Sequence, residues 1–304
     1  MESIIVTGAT GSIGYECALQ ICKLKPNDQI ILPCRNTSDG DKIITRLRKK
    51  TGHKHLISLP LILDSFSSIK KFAHQYSTLA NNKLLALINN AGLQNVQETR
   101  YTKDGFELTF GVNHLGPMLL TLELLPYMSE NSKITFTASG THDPKQRTGM
   151  PHPVFSSAEK LAHPTETSDN PLKVGQIRYT TSKLCNVLTA YELQKQLKHT
   201  GISVNAFDPG FVPGTGLGRN YPEWMKLIIN PLLKLTILLP INAHTAATSG
   251  KRLARVALGA IHSNAKGKYF EGEKEIKSSE QSYDTLLQKE LWDESMKLLE
   301  KNQI

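Results

Sequence analysis

The chain has 304 residues, of which 39% are apolar and 21% charged, a balance that suits a soluble domain with a sizeable core and excludes a disordered or fibrous chain. Its 36 basic and 27 acidic side chains leave a net charge of +9. The basic residues are dispersed, and the densest group (Arg46, Arg48, Lys49, Lys50, Lys54) falls on the outer face of a predicted helix and its exit, so no nucleic-acid partner is expected.

Four cysteines (Cys17, Cys22, Cys34, Cys185) show no Cys-x-x-Cys spacing and no paired histidine pattern, which points to reduced, buried thiols and no metal site. No stretch reaches the roughly 20 uninterrupted apolar residues of a membrane span. Met1 runs straight into a strand, leaving no room for a secretion signal, so a cytoplasmic location is expected.

Ile4-Ile-Val6 followed by Thr7-Gly-Ala-Thr-Gly-Ser-Ile-Gly14 reads as a strand, a glycine-rich turn and the start of a helix over 15–24. Free N–H groups and the helix dipole favour a pyrophosphate at such a turn, making Gly8, Thr10, Gly11, Ser12, Ile13 and Gly14 cofactor candidates; a tight turn with no ligand is the alternative. The second strand, 29–34, leads to Cys34, Arg35 and Asn36. An enzyme using NAD usually carries a carboxylate here, whereas Arg35 suits a 2′-phosphate, so NADP(H) is the expected cofactor unless Arg35 is a plain surface residue. A helix over 41–50 precedes a strand over 56–63, closed by Asp64, whose carboxylate can accept from an adenine amine or from the backbone. A helix over 67–79 precedes a buried strand over 84–88, which delivers Asn89, Asn90, Ala91 and Gly92, small residues that let a cofactor lie against the backbone.

The segment 106–128 reads as one long helix kinked at Gly116-Pro117, with Asn113 in an apolar stretch where its amide needs partners. A strand over 133–137 presents Ser139 at the carboxyl edge of the sheet, as a turn residue or a catalytic one. Residues 142–177 form a long insertion with five of the chain's 15 prolines, a short helix near 156–161, and three histidines (His142, His152, His163) read as surface residues. In the helix over 178–197, Tyr179 and Lys183 stand one turn apart on one face. A phenol with a pKa of about 10 is a poor base until a nearby ammonium favours its anion. Tyr-x-x-x-Lys is also a frequent accident of amphipathic helices.

A strand over 202–207 leads to Pro209, Gly210 and a Gly/Pro loop, then to an apolar stretch over 211–241. Phe211, Leu217, Tyr221 and Trp224 in it suggest a lid over a lipophilic substrate; a subunit contact in a homo-oligomer, a completed core and a peripheral membrane patch are the alternatives. Asn242 is expected to cap a helix running to residue 258, followed by a strand over 268–270 and a final helix over 283–299. Strands alternating with helices imply an α/β fold: one Rossmann domain over 1–304 with a doubly wound parallel sheet of about seven strands.

Over nearly its whole length the chain resembles the short-chain dehydrogenases/reductases, and within them the retinol dehydrogenase and protochlorophyllide reductase-like group. The order Thr7-Gly8…Gly14, Asn89-Asn-Ala-Gly92, Asn113, Ser139, Tyr179/Lys183 and Pro209-Gly210 carries the family resemblance. Cys34-Arg35-Asn36, Val112-Asn-His-Leu-Gly116, Thr181-Ser-Lys-Leu-Cys-Asn-Val187 and Gly267-Lys-Tyr-Phe270 carry the group. The resemblance implies an NADP(H)-dependent alcohol/carbonyl oxidoreductase with Tyr179 as general acid/base. Lys183 would serve Tyr179 and the nicotinamide ribose, Ser139 the substrate oxygen, and Asn113 a helix kink and a relay water.

Ser12 stands where single-domain members commonly have a middle glycine, a spacing also found in relatives that have lost catalysis, which keeps an idle NADP-binding sensor as the alternative. Ser139 and Phe211, where light-driven protochlorophyllide reductases usually have threonine and cysteine, count against ring or alkene reduction of that type.

Overall fold

Short aliphatic runs build the sheet. The computed structural model describes residues 1–80, 83–165, 170–215 and 242–301. Strand β1 (Ser3–Val6) pairs in parallel with β2 (Gln29–Ile31) on one side and β4 (Leu84–Asn89) on the other. With β3 (Leu56–Ile57), β5 (Met128–Thr137), β6 (Ser203–Asp208), β7 (Tyr269–Glu271) and β8 (Lys274–Ile276), the order is β3-β2-β1-β4-β5-β6-β7-β8. All pairs are parallel except β7 with β8. The order reverses between β1 and β4, and a ligand crevice opens outside the carboxyl ends of the strands at such a point. The eighth strand was not foreseen: it is three residues long, closes a hairpin at the sheet edge, and its Lys274 and Glu275 obscure any alternation.

Alternation along β1 explains why both faces are covered. Ile4 and Val6 pack in a cluster with helices α1 (Ser12–Leu24) and α2 (Thr37–Thr51), while Ile5 packs in a second cluster with α3 (Phe66–Ser77). All three are fully buried, and at about 25 cal/mol per Å² this two-sided burial is the main stabilising term. The four cysteines are free and buried. Among the described residues, no helix is long and apolar enough to cross a membrane.

Several boundaries differ from expectation for local reasons. The stretch read as one kinked helix is instead α4 (Leu108–Phe110), a π-turn (Gly111–Leu115), α5 (Gly116–Leu124) and a 3-10 turn (Leu125–Tyr127). Gly116 N–H bonds the Gly111 carbonyl five residues back. Pro117, lacking an N–H, also denies the Asn113 carbonyl its usual donor four residues on, so the helix widens at Asn113. After the short helix α6 (Ala158–Ala162), α7 (Pro171–Gln196) begins before the expected start, its N-terminus capped by Asn170, whose Oδ1 accepts from Lys173 N at 3.0 Å. The closing part of the expected insertion is therefore helix. Thr245, not Asn242, caps α8 (Ala246–Ala257) by accepting from Thr248 N, and α9 (Thr285–Lys301) ends the described chain.

Candidate active site

The glycine turn is fixed to the neighbouring strand by Thr7. Its Oγ1 donates to the Ile88 carbonyl at 3.2 Å and accepts from the N–H groups of Asn90 and Ala91 at 3.0 Å each. Asn90 returns a bond from Nδ2 to the Thr7 carbonyl at 2.9 Å. Gly8 holds φ +72, and a Cβ there would meet Ala91 Cα at 2.9 Å; one on Gly14 would meet the Gly8 carbonyl oxygen at 2.3 Å. Gly11 is the N-cap of α1 and no side chain among the described residues caps it, so the N–H groups of its first turn, including Ser12 and Ile13, face an anion without a competing cap there. Thr10, Gly11 and Ser12 are exposed.

On the neighbouring strand's side, Arg35 is exposed in the loop after β2. Asn36, expected beside it as a cofactor residue, caps α2: its Oδ1 accepts from Asp39 N at 2.8 Å. Asp64 is half-buried, and its Oδ1 is shielded from solvent without a hydrogen-bond partner among the described residues. An orphaned acceptor, a glycine cradle that any side chain would fill, an uncapped helix start and an exposed guanidinium fit the parts of a phosphorylated dinucleotide.

Three of the predicted catalytic residues, Asn113, Tyr179 and Lys183, come together beside the loop after β4. Asn113, in the π-turn, is clamped to the loop after β4: its Oδ1 accepts from Leu93 N and its Nδ2 donates to the Leu93 carbonyl, both at 2.8 Å, with a further bond to Ser182 Oγ at 3.0 Å. Ser182 Oγ donates in turn to the Tyr179 carbonyl at 2.7 Å. A Cβ on Gly92 would lie 3.2 Å from Asn113 Oδ1 and 3.6 Å from Lys183 Nζ, so β4, the π-turn and α7 meet at one point. Tyr179 is buried, and Lys183 Nζ lies 5.5 Å from its ring centre.

Lys183 Nζ donates to the Thr137 carbonyl at 2.9 Å. Burial pushes its pKa down to about 8, opposed by the Asp208 carboxylate. Asp208 itself is buried at the end of β6 and is pushed up to about 6 by desolvation, against the Gly210 N–H that bonds its Oδ1 at 2.8 Å. Ser139 is half-buried in extended backbone after β5, its Oγ accepting from Thr141 N at 3.3 Å.

Pro209 accepts from Ser249 Oγ at 2.7 Å, and Gly210 holds φ +72 against Asn242. Phe211, 43% exposed, bonds Asn242 and His244 through its backbone at 2.7 and 2.8 Å, so residue 211 pairs with the segment 242–244. Leu217, Tyr221, Trp224 and the rest of the expected lid over 216–241 lie outside the described residues.

Sequence reasoning missed four contributors. Thr7, Asp208 and Asn186, which shares the Thr137 carbonyl with Lys183 at 3.2 Å, each had a faint signal: a polar residue at the end of an apolar strand, or one turn from the lysine. The fourth corrects an expectation. His142 is not a surface residue; it is fully buried, while His152 and His163 are exposed.

A family profile described as short chain dehydrogenase matches residues 2–151. Human retinol dehydrogenase 13 is 31% identical over 304 residues, covering 98% of this chain and 84% of that protein. Bovine dehydrogenase/reductase SDR family member 13 is 32% identical over 243 residues, 79% of this chain, but the match spans only 59% of that relative's length. Among solved structures, an NADPH-bound carbonyl reductase from chicken fatty liver superposes with a TM-score of 0.62 at 19% identity, over 91% of this chain and 94% of that one, a likeness of fold. Sequence identity along almost the entire chain, on a doubly wound sheet with this convergence at its carboxyl edge, places the protein in the short-chain dehydrogenase family.

Proposed function

We propose that the chain is an NADP(H)-dependent oxidoreductase that interconverts a lipophilic alcohol and its carbonyl compound, with Tyr179 transferring the proton. The observation that carries this reading is the buried Tyr179–Lys183 pair on α7, set beside Gly92 and Asn113 at the sheet edge. The glycine turn would hold the pyrophosphate, Asp64 the adenine amine and Arg35 the 2′-phosphate, with Asn90, Ala91, Gly92, Pro209 and Gly210 lining the nicotinamide half. The cofactor, when bound, supplies or accepts the hydride.

In the reducing direction Tyr179 gives its hydroxyl proton to the substrate oxygen, and in oxidation it takes that proton back. Lys183, charged at neutral pH with a pKa of about 8, favours the phenolate left after proton transfer and has donors to spare for a ribose hydroxyl. Ser139 donates to the substrate oxygen as charge develops on it. Asn113, fixed to Leu93 through both amide atoms, holds the widened helix turn against the cofactor loop.

A lipophilic substrate is supported by similarity to a protein named for retinol, a lipophilic alcohol, and by the exposed apolar side chains of Phe211 and Val154. Val154 N bonds Thr181 Oγ1 at 2.9 Å, two residues from Lys183. The test is NADPH-linked turnover of an aldehyde series from propanal to decanal, and of retinal, by the unaltered chain and by Tyr179→Phe. Turnover should rise with chain length, by up to about 0.8 kcal/mol per buried CH₂, and should collapse in Tyr179→Phe while NADPH binding survives. Near-normal turnover by Tyr179→Phe would refute the proton-transfer role, and a series peaking at propanal would refute the lipophilic substrate.

A further inference from the structure

His142 lies three residues after Ser139 and is 0% exposed. Its Nδ1 lies 2.7 Å from the Ser139 carbonyl oxygen, and its Nε2 lies 3.0 Å from the Ser279 backbone nitrogen. A carbonyl only accepts and an N–H only donates, so the proton must sit on Nδ1 and the Nε2 lone pair must face Ser279. The ring is therefore neutral and held in one tautomer. Burial, which lowers its pKa, works in the same direction. The Tyr269 ring packs 4.8 Å away, closing one side.

The far end of this bridge is itself anchored. The Ser279 carbonyl accepts from Ser282 Oγ at 2.6 Å, and the adjacent Ser278 Oγ lies 2.6 Å from the hydroxyl of Tyr191. Tyr191 is on α7, the helix that carries Tyr179 and Lys183. The turn bearing Ser139 is thus connected through His142 and the Ser278–Ser279 segment to that helix, across 137 residues of sequence between His142 and Ser279.

We propose that His142 is the positioning residue for Ser139: its imidazole fixes the serine carbonyl, and so the direction of the hydroxyl, relative to Tyr179. This rests on the role proposed for Ser139 above. A surface histidine would be free to rotate. This ring has both nitrogens committed, and its removal would leave the Ser139 carbonyl with the backbone N–H of His142, at 3.1 Å, in place of the imidazole bond.

The experiment measures kcat and KM with NADPH and decanal or retinal, and the NADPH dissociation constant by nucleotide fluorescence, for His142→Phe, His142→Asn, His142→Gln and Ser139→Ala, and for His142→Phe combined with Ser139→Ala. His142→Phe keeps the ring volume and should lower kcat about ten-fold or more, with KM and NADPH affinity changed by no more than about two-fold. In the Ser139→Ala background the same change should cost almost nothing further, because the effect passes through Ser139. Asn places its amide nitrogen where Nδ1 stands and should restore most of kcat. Gln reaches the Nε2 position instead and should not.

An equal loss in both backgrounds, no loss in either, or Gln rescuing better than Asn would overturn the proposal. If His142→Phe does not fold, the Asn and Gln variants decide it. Ser139→Ala with unimpaired kcat, or no turnover of either carbonyl compound by the unaltered chain, would instead overturn the proposed function on which it rests.

Discussion

Replacing Lys183 by methionine should make the cofactor-free protein more stable while abolishing turnover. Lys183 is 4% exposed, and its pKa falls from 10.5 to about 8 because burial penalises the ammonium. That difference corresponds to about 3 kcal/mol of charging cost carried by the folded state at neutral pH. Methionine is similar in length and shape and carries no charge. It forfeits the bond to the Thr137 carbonyl, but Asn186 Nδ2 still donates to that oxygen at 3.2 Å, so the acceptor is not orphaned.

A net gain of about 1–3 kcal/mol is expected in denaturant unfolding at pH 7. The sign of its pH dependence follows from the direction of the shift. Below about pH 8 the folded chain bears the whole penalty, and between about 8 and 10.5 it sheds its proton while the unfolded chain keeps one. The margin of Lys183→Met over the parent should therefore shrink across that window. Saturating NADPH should reverse the order if Lys183 holds the ribose, since ligand binding stabilises only the chain that binds it. A variant less stable than the parent at pH 7 without cofactor, or a margin that ignores pH between 8 and 10.5, would refute the reasoning.

Arg35→Ala should cost about 1.5–3 kcal/mol of NADPH binding, ten-fold or more, and leave NADH affinity unchanged; calorimetric titration with both cofactors would show it, and equal losses for the two would place the 2′-phosphate elsewhere. His114, 1% exposed, bonded from Nε2 to Ser295 Oγ at 2.8 Å and pushed down to about 3 by burial, stays neutral in the folded chain while its unfolded counterpart protonates near pH 6.5. It should therefore cost stability, by up to about 1.4 kcal/mol per pH unit, as pH falls from 6.5 towards 4. Asp208, raised to about 6, acts in the opposite sense between its folded and unfolded values, so the measurement is the gap between parent and His114→Gln, in which that contribution cancels. A gap constant from pH 7 to pH 4 would remove His114 from the account.

The sequence by itself determined the architecture and supplied the candidate residues Asn113, Ser139, Tyr179 and Lys183. Aliphatic strands, helical spacing and the glycine turn after Val6 imply a doubly wound sheet, because a parallel strand buried on both faces has to be apolar throughout. Tyr179 and Lys183 were legible as a pair because one helical turn separates them, and Asn113 because an amide in an apolar run needs partners. Such signals are local: they depend on residues within a turn or two of each other.

Tertiary structure decided what depends on partners far along the chain. The widened turn at Asn113 arises where Pro117 removes a donor and the side chain of Asn113 bonds Leu93, a loop residue delivered by another strand. His142 looked like a loop histidine among prolines, and only the packing of Tyr269 and the N–H of Ser279 make it buried, neutral and fixed in one tautomer. Burial is a property of everything that surrounds a group, so neither the desolvation of Lys183, Asp208 and His142 nor the bonds that offset it can be read from the residues beside them in sequence.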